Sequence, residues 1–233
     1  MDNTLRTIRE EIRKNREGNI PALTLVIDTN ILADHAWARD SNVVYLIEEI
    51  IPNHREFLIV VPHICEVEFK LITKEEVNGW KELQEEIKKR VKDLERYSGF
   101  EELCERLKKD VEDLEVLINR LREAPMKEIG ILSSLMLFFS ESLPLQHEMS
   151  YYISKDPDYG LVFEDALVFS FVKLVGKALD GERLDGESKV LFLTKDRDFD
   201  VEKVLAELRE ANVEIYFASG ECLQRIKEEL KCE

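Results

Sequence analysis

The sequence has no CxxC pair. Its four cysteines, at positions 65, 104, 222 and 232, are widely spaced, which leaves neither a zinc ribbon nor a thioredoxin-type motif. They read as buried or incidental thiols in a reducing compartment. No run of about 18 apolar residues is present to span a bilayer, and the opening stretch MDNTLRTIREEIRKNREGN has no apolar core of signal-peptide length. The expectation is a cytoplasmic chain with no membrane association. No glycine-rich turn follows the first apolar segment, which excludes a Rossmann dinucleotide site. Basic charge is scarce: 33 Lys and Arg stand against 49 Asp and Glu, a net charge of -16. That balance works against polyanions and against strong nonspecific binding of nucleic acid. His35, His54, His63 and His147 are scattered, and no Ser-His-Asp or Cys-His set is placed for nucleophilic catalysis. Internal repeats and low-complexity linkers are also missing.

What is present is a 233-residue globular composition, 44% hydrophobic and 35% charged. It is enough for a real core beneath extensive solvated helix surface. LTLVI at 23–27, FLIVV at 57–61, KVLFL at 189–193 and VEIYF at 213–217 are strand candidates. The intervening text predicts helices over 3–17, 30–50, from His63 onward, 161–179, 199–210 and 219–231. Alternation of this kind predicts an α/β fold with a parallel sheet flanked by helices and right-handed crossovers. Residues 74–123 differ in character. Leu83, Ile87, Val91 and Leu94, then Leu103, Leu107, Val111, Leu114, Ile118 and Leu121, recur in steps of three and four around a break at Ser98-Gly99. That predicts an α-helical hairpin inserted into an α/β domain formed by 1–73 and 124–233. Pro125 is expected to break the helix, ILSSLMLFF at 131–139 to form a buried helix, and 147–160 to be irregular. The hairpin also carries the local basic run Lys88, Lys89, Arg90 and Lys92. Its stripe packs on its own domain or on another chain, so a homodimer stays open.

Four acids stand at the ends of apolar segments: Asp28 after LTLVI, Glu68 after the VVP of 60–62, Asp165 opening ALVFSFVKLV, and Asp196 after VLFLT. A carboxylate that follows a strand or opens a helix lies at the carboxyl edge of a parallel sheet, where open α/β proteins build their sites. Converging carboxylates repel unless a divalent cation neutralises them. Asp28 and Asp165 also have a structural role available, as natural helix caps.

VIDTNIL at 26–32, VPHICEVEF at 61–69, FEDALVFSF at 163–171 and LTKDRDF at 193–199 together resemble, in order, the acidic motifs of PIN-domain ribonucleases. The resemblance covers residues 23–73 and roughly 155–220. It implies a PIN-like domain and a metal-dependent endoribonuclease, with Asp28, Glu68, Asp165 and Asp196 as catalytic ligands of Mg2+ or Mn2+. Asp198 is a further ligand or acts through water, and Asn30 and Thr194 are supports for the ligand carboxylates. Glu66 competes with Glu68, because residues two apart lie about 200° around a helix. The family's apolar residue directly after the glutamate favours Glu68, followed by Phe69. Neighbouring Glu164 competes with Asp165, and the resemblance of the DALVF text to the family favours Asp165. RNA is the implied substrate, and because the family includes toxins held by antitoxins, an inhibitory protein partner stays open. A binding or scaffolding module with weak or no nuclease activity is the alternative. A haloacid-dehalogenase-type phosphatase would want DxD where the chain has Asp28-Thr29-Asn30, and a receiver domain an early acidic pair.

Overall fold

The structure is a computed structural model that describes residues 2–133, 135–139, 143–182 and 188–231. In chain order its elements are α1 (Asp2–Asn15), β1 (Leu23–Ile27), α2 (Thr29–Ala36), α3 (Ser41–Tyr45), α4 (Ile51–Asn53), β2 (Phe57–Val61), α5 (His63–Leu94) and α6 (Glu101–Leu132). Then follow β3 (Leu137–Phe138), α7 (Pro144–Lys155), α8 (Phe163–Leu179), β4 (Lys189–Leu193), α9 (Glu202–Glu210), β5 (Val213–Tyr216) and α10 (Ser219–Leu230). The fold is α/β. Five strands form one sheet in the order β3-β2-β1-β4-β5, parallel throughout and flanked by helices. Strands β1 and β2 are buried along their whole length. Such strands read as continuous apolar runs instead of alternating ones because helices cover both faces of a parallel sheet.

By its internal contacts the chain divides into two compact units, residues 1–68 with 132–233, and residues 69–131. The helical unit therefore reaches further at both ends than the 74–123 of the sequence reading. Within it α5 and α6 run antiparallel: Gln84 Nε2 donates to Val111 O at 3.0 Å, and Lys108 pairs with Glu95 at 3.0 Å. Val91, Cys104, Val111 and Ile118 are buried on the shared seam.

Four local expectations are corrected. The helix expected over 30–50 is interrupted at Trp37–Asp40, where Ala38 takes φ 49° and Asp40 caps α3 by accepting from the backbone of Asn42 and Val43. A π-helical turn at Leu46–Ile50 then precedes Pro52, which has no N–H to return to the carbonyl of Glu48. The helix does not stop at Pro125 but continues to Leu132. One missing hydrogen bond is tolerated among strong helix formers such as Leu121, Arg122, Glu123 and Ala124 before it and Met126, Lys127 and Glu128 after it. The apolar run 131–139 does not form a helix of its own. It ends α6 and then supplies β3, with Leu137 and Phe138 beside Val60 and Val61, since a short apolar run alone does not separate strand from helix. Residues 147–155 are regular helix, starting with Pro144 in the first turn. The period of α7 was hidden because two of its buried positions are polar. Gln146 donates to Leu167 O at 2.9 Å, and Ser150 to Ala166 O at 3.0 Å.

α8 is the core helix of the sheet unit, with Phe169, Phe171, Val172, Leu174 and Val175 essentially inaccessible. It comes so close to the α9–β5 connection that a Cβ on Gly176 would lie 2.2 Å from Ala211 O. At the other end α1 buries Ile8 and Ile12, and Arg9 Nε donates to Ala178 O at 2.6 Å.

Candidate metal centre

β1 and β4 are neighbours, yet the chain leaves β1 toward β2 on one side and β4 toward β5 on the other. Their carboxyl ends therefore form the crevice where the strand order reverses, the usual place for a site in an open parallel sheet. Asp28 directly follows β1 and caps α2, accepting from Thr29 N at 2.7 Å. Thr194 directly follows β4, and its hydroxyl donates to Asp28 Oδ2 at 2.7 Å.

Asp28 is almost fully enclosed and bonded on both oxygens. Oδ1 accepts from Thr29 N and from the Cys65 thiol at 3.7 Å; Oδ2 accepts from Thr194 and from Asn30 Nδ2 at 3.1 Å. A carboxylate has about four lone-pair positions, so direct coordination of a cation would have to displace a donor. The thiol of Cys65 is the weakest of the four. Burial pushes the Asp28 acid above its ordinary value, with the nearby Asp196 charge acting in the same direction, while bonds from Thr194, Thr29 and Cys65 oppose the rise.

Glu68 stands in the second turn of α5, and Thr29 Oγ1 donates to it at 2.5 Å. Cys65, one turn earlier, completes a group with Asp28 and Glu68 whose ligand atoms lie within 4.8 Å of one another. Burial raises the Glu68 acid first, then the Asp28 and Glu164 charges. Glu66 is in neither metal-capable group found among the described residues. The second of these groups is Asp165, Asp196 and Asp198, again within 4.8 Å. Asp165 lies in the first turn of α8. Its carboxyl is pushed up to about 7, by burial first and then by the charges of Asp196, Asp28, Asp198 and Glu68. The other four acids thus all act on Asp165 electrostatically. Asp196 accepts from Asp198 N at 2.8 Å, and its own N–H donates to Thr194 Oγ1 at 3.0 Å.

The structure therefore gathers the favoured acids into two groups, Asp28 with Glu68 and Asp165 with Asp196 and Asp198, and Asn30 and Thr194 hydrogen-bond to Asp28. Glu164 is close enough to raise Glu68 but is in neither group. Thr29, Cys65 and Lys195 were not read as parts of the site. Cys65 is three residues before Glu68, the spacing that shares a helix face, so helical periodicity carried that signal. Lys195 pairs with Asp34, and with Asp40 at 2.8 Å, while its backbone N–H donates to Asn30 Oδ1 at 3.2 Å. That holds the 194–198 loop to α2, and only the folded chain reveals it.

A hard, oxygen-seeking cation suits this donor set. The five carboxylates are oxygen ligands of the kind that bind magnesium, calcium or manganese, and Asp165, Asp28 and Glu68 are raised first by burial and then by neighbouring negative charge. Among the described residues Cys65 is the one soft ligand in either group. Fold and cluster together define a class: an open parallel α/β sheet with an acidic constellation at its switch point. No family model, curated protein or solved structure matches the chain.

Proposed function

We propose that the chain is a PIN-like, Mg2+- or Mn2+-dependent endoribonuclease. The observation that supports the reading most is that four separate segments supply two acidic groups at the switch point between β1 and β4, Asp28 with Glu68, and Asp165 with Asp196 and Asp198, all four of the others acting on Asp165. A divalent cation at these oxygens supplies the positive charge that makes a water easier to deprotonate and offsets charge on the phosphate and leaving oxygen. Asp28, Glu68, Asp165 and Asp196 would hold it, and Asp198 would extend the ligand set at the exposed rim. Thr194, Asn30 and Thr29 fix the carboxylates so that little reorganisation is needed when the charge arrives. Hydrolysis at phosphorus, with release of the ribose oxygen, is the chemistry such a site serves.

A second reading, a PIN-like binding or scaffolding module with weak or no cleavage, draws on the net charge of -16 and on the filled acceptor positions of Asp28. End-labelled single-stranded RNA incubated with the protein and millimolar Mn2+ separates the two. The nuclease reading expects cleavage that EDTA stops and Asp28→Asn abolishes. Intact RNA with the wild-type protein, or cleavage that survives Asp28→Asn, refutes it.

A further inference from the structure

Beside the acidic cluster α7 and α8 present a line of exposed rings. Phe163, the first residue of α8, is two positions and about 3 Å of helix rise from Asp165. Phe163 is 37% exposed, and the His147 ring on α7 is 6.2 Å from it, centroid to centroid. From His147 the helix repeat continues outward through Tyr151 to Lys155, in steps of four that keep one face. Tyr151 and Tyr152 are 57% and 66% exposed, their rings 5.7 Å apart and nearly perpendicular. The Lys155 ammonium lies 5.9 Å from the Tyr151 centroid, within cation-π range.

The opposite face of α7 is fixed. Gln146 and Ser150 are buried and bonded to the carbonyls of Leu167 and Ala166, and Ser150 lies 3.1 Å from Ser170 Oγ. The rings therefore stand on a helix locked to the one that carries Asp165. Large exposed rings cost free energy in water, and Tyr151 and Tyr152 leave more than half of their surface in it.

We propose that Phe163, His147, Tyr151, Tyr152 and Lys155 form a stacking platform for the bases of single-stranded nucleic acid leading to or from the acidic cluster. The occupant follows from the chemistry. Every base has a π-face, and stacking on aromatic side chains carries single-strand recognition without sequence readout. A chain with net charge -16 gains little from phosphate neutralisation, so stacking with a single lysine is the form of affinity open to it. A duplex, whose bases are stacked on one another, offers such a platform nothing. The proposal rests on the nuclease reading for its direction along the strand, but not for the binding itself.

The test is fluorescence anisotropy with a labelled 12-nucleotide oligouridine and with a duplex RNA of equal length, in Ca2+ buffer, on the full chain. Cleavage kinetics in Mn2+ run alongside. The wild-type protein binds the single strand in preference to the duplex, with log affinity falling against log salt at a slope of roughly -1 or shallower, as a single phosphate contact gives. Tyr151→Ala with Tyr152→Ala weakens binding roughly tenfold, the range for loss of one stacked base, and raises KM with little change in kcat. Tyr151→Phe with Tyr152→Phe binds like wild type, which controls for folding. Equal binding by the alanine pair, equal binding of duplex, or no binding by the wild-type protein overturns the proposal. A dimeric wild type converted to a monomer by the alanine pair also overturns it, as the rings would then serve a contact between copies. Ring-dependent binding without cleavage sinks the nuclease reading and leaves this one standing. Cleavage with KM unchanged in the alanine pair does the reverse.

Discussion

The sheet unit and the helical unit are both made of regular elements, but they use polar groups in opposite ways. In residues 69–131 charges sit in water: Arg106 with Glu102, Lys88 with Glu85, and Lys108 with Glu105 are pairs three or four residues apart on exposed helix surface. Such pairs contribute little, and the hairpin is held by its apolar seam with the buried Gln84 bond to Val111 O across it. In the sheet unit Asp28, Thr29 and Thr194 are buried at the strand ends, and carboxylates are gathered against their own repulsion. The first arrangement relieves every local conflict. The second keeps one, at the position where open sheets carry sites.

The largest effect that separates the units is at a glycine. Gly176→Ala in α8 places a Cβ 2.2 Å from Ala211 O and 2.6 Å from Val213 Cγ2, and overpacking of this kind costs about 1–3 kcal/mol. Urea unfolding checks it, and an unchanged midpoint would mean the two segments part more easily than the packing implies.

Next is Thr194→Val. It removes the 2.7 Å hydroxyl bond to Asp28 and the acceptor for Asp196 N, leaving buried polar groups short of a partner at about 1–3 kcal/mol. Loss of stability by calorimetry, with metal-free conditions held constant, is the expected outcome.

The third is a pH dependence. The folded protein keeps a proton on Asp165, whose carboxyl is raised from 3.8 to about 7, while the unfolded chain has already lost it. Without metal, stability contributed by this group is therefore present at acid pH and falls as pH rises from about 4 to 7. Asp28 and Glu68, raised in the same direction, add to the fall. Asp165→Asn flattens the profile and raises the metal-free Tm at pH 8. Because the carboxyl is half exposed, solvent screening limits the gain to about 2–4 °C, equivalent to about 1 kcal/mol in a chain of this size. A profile equally steep in the variant would locate the proton elsewhere.

The smallest effect belongs to the helical unit. Gly79→Ala in α5 meets nothing within 4 Å and replaces the poorest non-proline helix former by the best, a gain of about 0.5–1 kcal/mol. Opposite signs at Gly176 and Gly79 are the signature of the contrast; the same sign at both would erase it.

The sequence carried much of this. LTLVI, FLIVV and KVLFL are buried parallel strands because a doubly covered sheet needs uninterrupted apolar runs, and Asp28, Glu68, Asp165 and Asp196 stand out because charge after such runs has no packing role. The elements that escaped were those whose pattern is set by tertiary partners. β3 is two residues at a sheet edge inside an apolar run, and α7 turns Gln146 and Ser150 inward to carbonyls of α8. Pro125 was read by its local cost, whereas a long helix with good formers on both sides absorbs it. Cys65 and Lys195 joined the site only when α5 and the loop after β4 were brought beside Asp28.

Thermal melting with and without millimolar Mn2+ tests most directly whether the conflict at the switch point is a cation site. A cation bound only by the folded state stabilises it by about 2.7 kcal/mol at one hundred times its Kd. The wild-type Tm therefore rises on adding Mn2+, and Asp28→Asn with Asp196→Asn loses most of that rise. A wild-type melting curve unmoved by Mn2+ and Mg2+ would contradict the account.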